Sequence, residues 1–169
     1  MTVSHELGHV VSGLAGGARL THLELRPWHF PQSHLVNDNH PLLTLWAGPV
    51  LGCLLPLLVA FILRRPACWF VAWFCVVANA AYLLLGYYSG NGELDSAKMI
   101  HAGARPLELL AAVTIALPPG YWKFRQASIG LITGQTPAFS RRGLWISSAA
   151  LLTVLIVQAA AGTLVISLL

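Results

Sequence analysis

From Pro41 to Leu63 the chain carries no charged residue, and after Arg64-Arg65-Pro66 a second uncharged run continues from Ala67 to Tyr88. Each run is long enough for a helix to cross a hydrocarbon core ~30 Å thick. In lipid every backbone N–H and C=O must find its partner within the protein, so uncharged runs of this length dictate helices. Charged residues make up only 9% of the 169 positions and hydrophobic residues 56%, with a mean hydropathy of +0.68. An ordinary soluble domain has roughly 25% charged residues; at 9% a globular surface could not be covered. The composition excludes a disordered chain and a conventional cytosolic enzyme. A net charge of +4, so thinly spread, excludes a nucleic-acid binder as well. The expected fold is all-α: a polytopic transmembrane helical bundle, with residues 1–169 forming a single membrane domain.

Three further apolar runs complete this outline. Met1 to Leu14 ends at Gly16-Gly17; Leu107 to Leu117 is short and closed by Pro118-Pro119-Gly120; Leu144 to Leu169 is long enough to span. The short run reads as re-entrant, or as extended by Tyr121-Trp122 at the interface. The first run begins at the initial methionine, so a longer start upstream or a lost leading helix is expected. Between the first two helices, Thr21-His22-Leu23-Glu24-Leu25 alternates polar and apolar residues, the pattern of a short strand-like insertion. Pro27 and Pro31 then interrupt regular structure, and Trp28 and Phe30 suit a membrane interface. Arg64, Arg65, Lys123, Arg125, Arg141 and Arg142 lie in loops without acids. Whether that side is cytoplasmic turns on whether Leu107–Leu117 crosses, so orientation stays open. Cys53, Cys68 and Cys75 show no metal-binding spacing and read as small apolar fillers.

Chemistry enters at His5-Glu6-Leu7-Gly8-His9, an HExxH motif. On a helix, positions i and i+4 share one face, so both imidazoles can reach one ion. Glu6, offset around the helix, can reach a water beside that ion without being a ligand. Zinc suits neutral imidazoles, and a carboxylate suits proton transfer during attack on a carbonyl. Ionisable residues in an apolar helix are costly and point to function. The bland alternative is a histidine pair packed inside a helix bundle.

A catalytic zinc site usually has a third protein ligand. The extended motif HExxHxxGxxH is absent, since Ser12 and Ala15 occupy its later positions. Glu24, Glu93 and Asp95 are the candidates, alongside a site with no third protein ligand. Asp95 is favoured because it follows Gly90-Asn91-Gly92, a break that ends an apolar helix. A full-length helix before that break puts Asp95 near the membrane surface, so the chain must turn back inward to reach His9. His34 and Asp38, at i and i+4, form a conceivable second metal pair. Gly48 and Gly52 form a GxxxG pair suited to close helix packing.

HELGH in an apolar helix, a strand-like loop, Ala47-Gly48-Pro49-Val50-Leu51-Gly52, and then Leu94-Asp95 together resemble the site-2 protease family of intramembrane zinc metalloproteases, in its compact bacterial branch. The resemblance covers about residues 4–104, the catalytic core. It implies one Zn2+ per chain with His5, His9 and Asp95 as ligands and Glu6 as the catalytic base. It also implies a multi-pass protein of the bacterial cell membrane. Its partners would be surrounding lipid and a transmembrane protein or peptide substrate; the segment Thr21 to Leu25 would either hold an unwound stretch of that substrate as an added strand or simply cover the cavity. The family's Leu-Asp-Gly reads Leu94-Asp95-Ser96 here. Its preceding proline is missing, and Asn79 or Asn91 stands in for its asparagine. An inactive relative acting as a membrane interaction protein is the alternative; an unrelated helical membrane protein with a fortuitous HELGH is the other.

Overall fold

The computed structural model describes residues 1–134, 152–153 and 155–160. It is mostly helical, in the order α1 (Thr2–Ala15), β1 (Arg19–Glu24), β2 (Gln32–Val36), α2 (Pro41–Leu63), α3 (Pro66–Ser89), α4 (Asp95–His101) and α5 (Pro106–Ile132). Helices α2 and α3 are each long and apolar enough to cross a membrane. Their ends follow local chemistry. Pro41 and Pro66 sit at helix starts, where a missing N–H costs nothing. Arg64 closes α2 in the left-handed region and returns its N–H to the Ala60 carbonyl. Gly90, at φ 64°, closes α3.

α1 lies against α2 so closely that a Cβ at Gly8 would collide with the backbone of Ala47 and Gly48. α2 presents Thr44, Gly48 and Gly52 as a buried small-residue stripe at four-residue spacing, with Ala60 buried about two turns further on. α3 packs between α2 and α5. The apolar core, Leu83, Met99, Ala104, Leu109 and Val113, ties α3, α4 and the first half of α5 together.

The strand-like insertion is a hairpin. β1 pairs antiparallel with β2, with Leu23 opposite Ser33 and His22 opposite His34. Pro27 and Pro31 do interrupt regular structure, but only across the connection between the strands, and the second strand begins immediately after Pro31. Pro31 itself makes no ladder bond, and Ser33 and Leu35 turn toward α1. The short apolar run Leu107–Leu117 is extended past Tyr121-Trp122, and the stop expected at Pro118-Pro119-Gly120 is corrected: α5 continues unbroken through Pro118 and Pro119. Two prolines forfeit two helical hydrogen bonds, but Gly120 seats against Val76 and Phe124 against Phe70 on α3, and that packing holds the helix. The expected helix from Leu144 to Leu169 lies for the most part outside the described residues, as do Arg141 and Arg142. Cys53, Cys68 and Cys75 are unpaired thiols.

Candidate metal centre

His5 and His9 stand one turn apart on the buried face of α1, their ring centroids 4.8 Å apart. Asp95 is brought to them from ninety positions away. Gly90 turns the chain, Asn91 accepts the Glu93 N–H through its side chain and the Leu94 N–H through its carbonyl, and extended Leu94 then opens α4 on Asp95. The backbone thereby makes the inward turn that the sequence demands. α4 is anchored by Met99, which is fully buried, and by Ser96, which fits against Gly86. The result puts Asp95 Oδ2 at 2.7 Å from His5 Nε2 and 3.3 Å from His9 Nε2. One ligand-type atom from each of these buried side chains lies within 4.8 Å of the others.

The far sides of the rings decide what the near sides carry. His9 Nδ1 is 2.8 Å from the Thr44 carbonyl, which can only accept, so Nδ1 donates. His5 Nδ1 is likewise 2.8 Å from Asn79 Oδ1. In neutral rings both Nε2 atoms therefore bear lone pairs, and both face a carboxylate oxygen. Three electron-rich atoms aimed at one point repel each other unless both rings are charged or a cation sits between them. Two imidazoles and a carboxylate are a donor set suited to zinc, so these residues fit that group.

Glu6 is buried beside the cluster, and its Oε2 accepts a 2.9 Å hydrogen bond from the Ser33 hydroxyl on β2. Glu6, His9, Asp95, Ser33, Tyr82 and Lys98 line a cavity of about 250 Å3. A second cavity, about 230 Å3, touches His5 and shares Glu6, Phe30, Pro31 and Tyr82 with the first. The two cavities thus share four lining residues, one reaching His9 and Asp95 and the other His5.

The other candidates fall elsewhere. Glu24 is buried but paired with Arg26, whose guanidinium holds its carboxyl at about 2 against burial; its other charged neighbour is His29, at 4.0 Å, and it is not part of the group formed by His5, His9 and Asp95. Glu93 lines the first cavity without touching either ring. His34 and Asp38 line the same cavity; among the described residues the only group of three ligand-type side chains is His5, His9 and Asp95. Asn91 serves the turn before α4, whereas Asn79 touches His5. Gly48 and Gly52 do more than pack helices, since Gly48 faces the His9 ring and Gly52 faces Asn79. Sequence reasoning missed Ser33 and Thr44. A serine in a strand and the carbonyl of a threonine carry no signal until the tertiary contact exists.

The model of the Peptidase M50B-like family matches residues 1–89, more than half of the chain. The chain belongs to this family. No curated protein and no solved structure matches it. M50 peptidases are zinc metalloproteases, in keeping with the site-2 protease resemblance and with the His5, His9 and Asp95 cluster. The M50B-like match contains α1, the hairpin and both long apolar helices, and Asp95 lies just beyond it.

Proposed function

We propose that this M50B-like chain is an intramembrane zinc metalloendopeptidase, a multi-pass protein of the bacterial cell membrane. It would hydrolyse a peptide bond in a membrane-embedded protein or peptide. His5, His9 and Asp95 would hold one zinc ion. The observation that carries the reading is the convergence of those three side chains, with an acceptor on the far side of each ring that, in the neutral rings, leaves Nε2 bare. Bound there, zinc would polarise the scissile carbonyl and acidify water at the site.

The chain's own residues supply the rest. Glu6, with Oε2 held by Ser33, keeps Oε1 to take the proton of the attacking water and deliver it to the leaving amine. The ligands themselves are buried, and the adjoining cavity gives substrate and water a way to them. An amide must leave its helical hydrogen bonds before it can be attacked. Among the described residues β2 has a strand partner on one edge, β1, and its other edge can hold an unwound substrate segment as an added strand.

Glu6→Gln tests the assignment. Proteolysis should vanish while zinc stoichiometry stays near one per chain. Substantial residual cleavage would remove Glu6 from the mechanism, and loss of zinc would make it a ligand. A wild-type protein that holds zinc and cleaves no peptide would favour the inactive relative.

A further inference from the structure

Asn79 sits in the middle of α3, an uncharged run, and is 1% exposed. A buried amide is costly unless its groups are bonded, and here both halves are used. Its Nδ2 donates to the Cys75 carbonyl at 2.8 Å. That carbonyl can only accept, so the amide has one permitted orientation, with Oδ1 toward His5 at 2.8 Å. Room for it is reserved by Gly52: a Cβ there would lie 2.6–3.0 Å from Oδ1, Nδ2 and Cγ of Asn79.

We propose that Asn79 is a positioning residue of the metal centre, holding the His5 proton on Nδ1 so that a bare Nε2 faces the ion. This rests on the zinc reading above. The chain of control runs from the Cys75 carbonyl through the amide to the ring, and Gly52 keeps the amide in register. His9 has a different guardian, the main-chain carbonyl of Thr44, which no side-chain substitution removes. His5 depends on a side chain alone. Without an acceptor opposite Nδ1 the ring is free to rotate or to move its proton to Nε2, and either event removes a ligand lone pair. Partners of this kind typically alter metal affinity by about 10–100-fold.

The test uses the full chain in detergent, with Zn2+ affinity from chelator competition and the visible absorption of bound Co2+ as readouts. Neither requires proteolysis. Asn79→Leu keeps the size and removes the acceptor; it should weaken Zn2+ binding about 10–100-fold and change the Co2+ spectrum. Asn79→Asp keeps an acceptor at the same atom and, when protonated, the donor to Cys75; it should return affinity and spectrum to near wild type. A packing role predicts the reverse order, with leucine tolerated in the apolar helix and aspartate disruptive. Wild-type metal binding in Asn79→Leu, or equal loss in both variants with the fold intact by circular dichroism, overturns the proposal. If the wild-type chain itself binds neither ion, the zinc reading fails first, and that outcome is distinct from either result with the variants.

Discussion

Gly48→Ala adds a single methyl group at the point where α2 faces the His9 ring. That methyl carbon would lie within 2.9 Å of Cε1, Nε2 and Cδ2 of His9. Ordinary carbon contacts sit at roughly 3.5–4.0 Å, so the imidazole must retreat by about 1 Å. Its retreat is opposed by the 2.8 Å hydrogen bond from Nδ1 to the Thr44 carbonyl, one turn earlier on the same face of α2. A metal site tolerates displacements of only about 0.5 Å. Overpacking should cost about 1–3 kcal/mol, against the ~1 kcal/mol that alanine ordinarily gains over glycine within a helix. The larger effect falls on the metal. Displacing one of three ligands should weaken zinc by at least tenfold, or about 1.4 kcal/mol. Competition with a chromophoric chelator, on monodisperse protein, reads this directly. Gly92→Ala is the control, because a Cβ there meets nothing within 4 Å. Zinc affinity in Gly48→Ala within threefold of wild type, or equal weakening in Gly92→Ala, would refute the geometric argument.

Other outcomes follow from the same contacts. His5→Ala and His9→Ala each leave too few ligands, so zinc should be lost or weakened by orders of magnitude while the helices still form; full occupancy in both would break the pairing. Ser33→Ala removes the hydrogen bond to Glu6 Oε2; turnover should fall about tenfold, the lower end expected for a hydrogen bond to a charged group, with zinc content unchanged. Glu24 has its carboxyl lowered from 4.5 to about 2 by Arg26. Its contribution to hairpin stability is therefore complete above pH 4.5 and is lost as the pH falls toward 2. Glu24→Gln should increase hydrogen exchange in β1 and β2 at neutral pH, and the difference from wild type should shrink across that acid window.

Much of this architecture is legible from local chemistry. The limits of α2 and α3 follow from uncharged runs punctuated by Arg64-Arg65-Pro66 and Gly90, and HExxH spacing places two imidazoles on one face. What escapes is whatever depends on contact between distant segments. Gln32–Val36 is too short and mixed to announce a strand without β1 beside it. Pro118-Pro119 reads as a stop because the packing of Gly120 on Val76 is invisible in one dimension. Asp95 stands out only as an acid after a helix break; its arrival at His5 depends on the turn at Gly90 and the burial of Met99. Asn79 is visible as a lone amide in an apolar run, but its orientation is set by Cys75, four residues earlier, and its room by Gly52 on another helix.

Ser96 occupies the position where the site-2 protease pattern carries glycine, and its hydroxyl rests where a Cβ at Gly86 would be. The missing side chain has in effect moved across the α3–α4 interface. That sets an order on mutational history. With its hydroxyl placed as it is, serine at 96 needs glycine at 86, where a Cβ would strike Ser96 Oγ and press on the Leu94 Cβ at 3.2 Å. A lineage that acquired Ser96 would thereby lose the freedom to enlarge position 86, because any Cβ there strikes the residue next to Asp95. Two positions ten residues apart should therefore vary as a unit, in a manner that neither helix would impose alone.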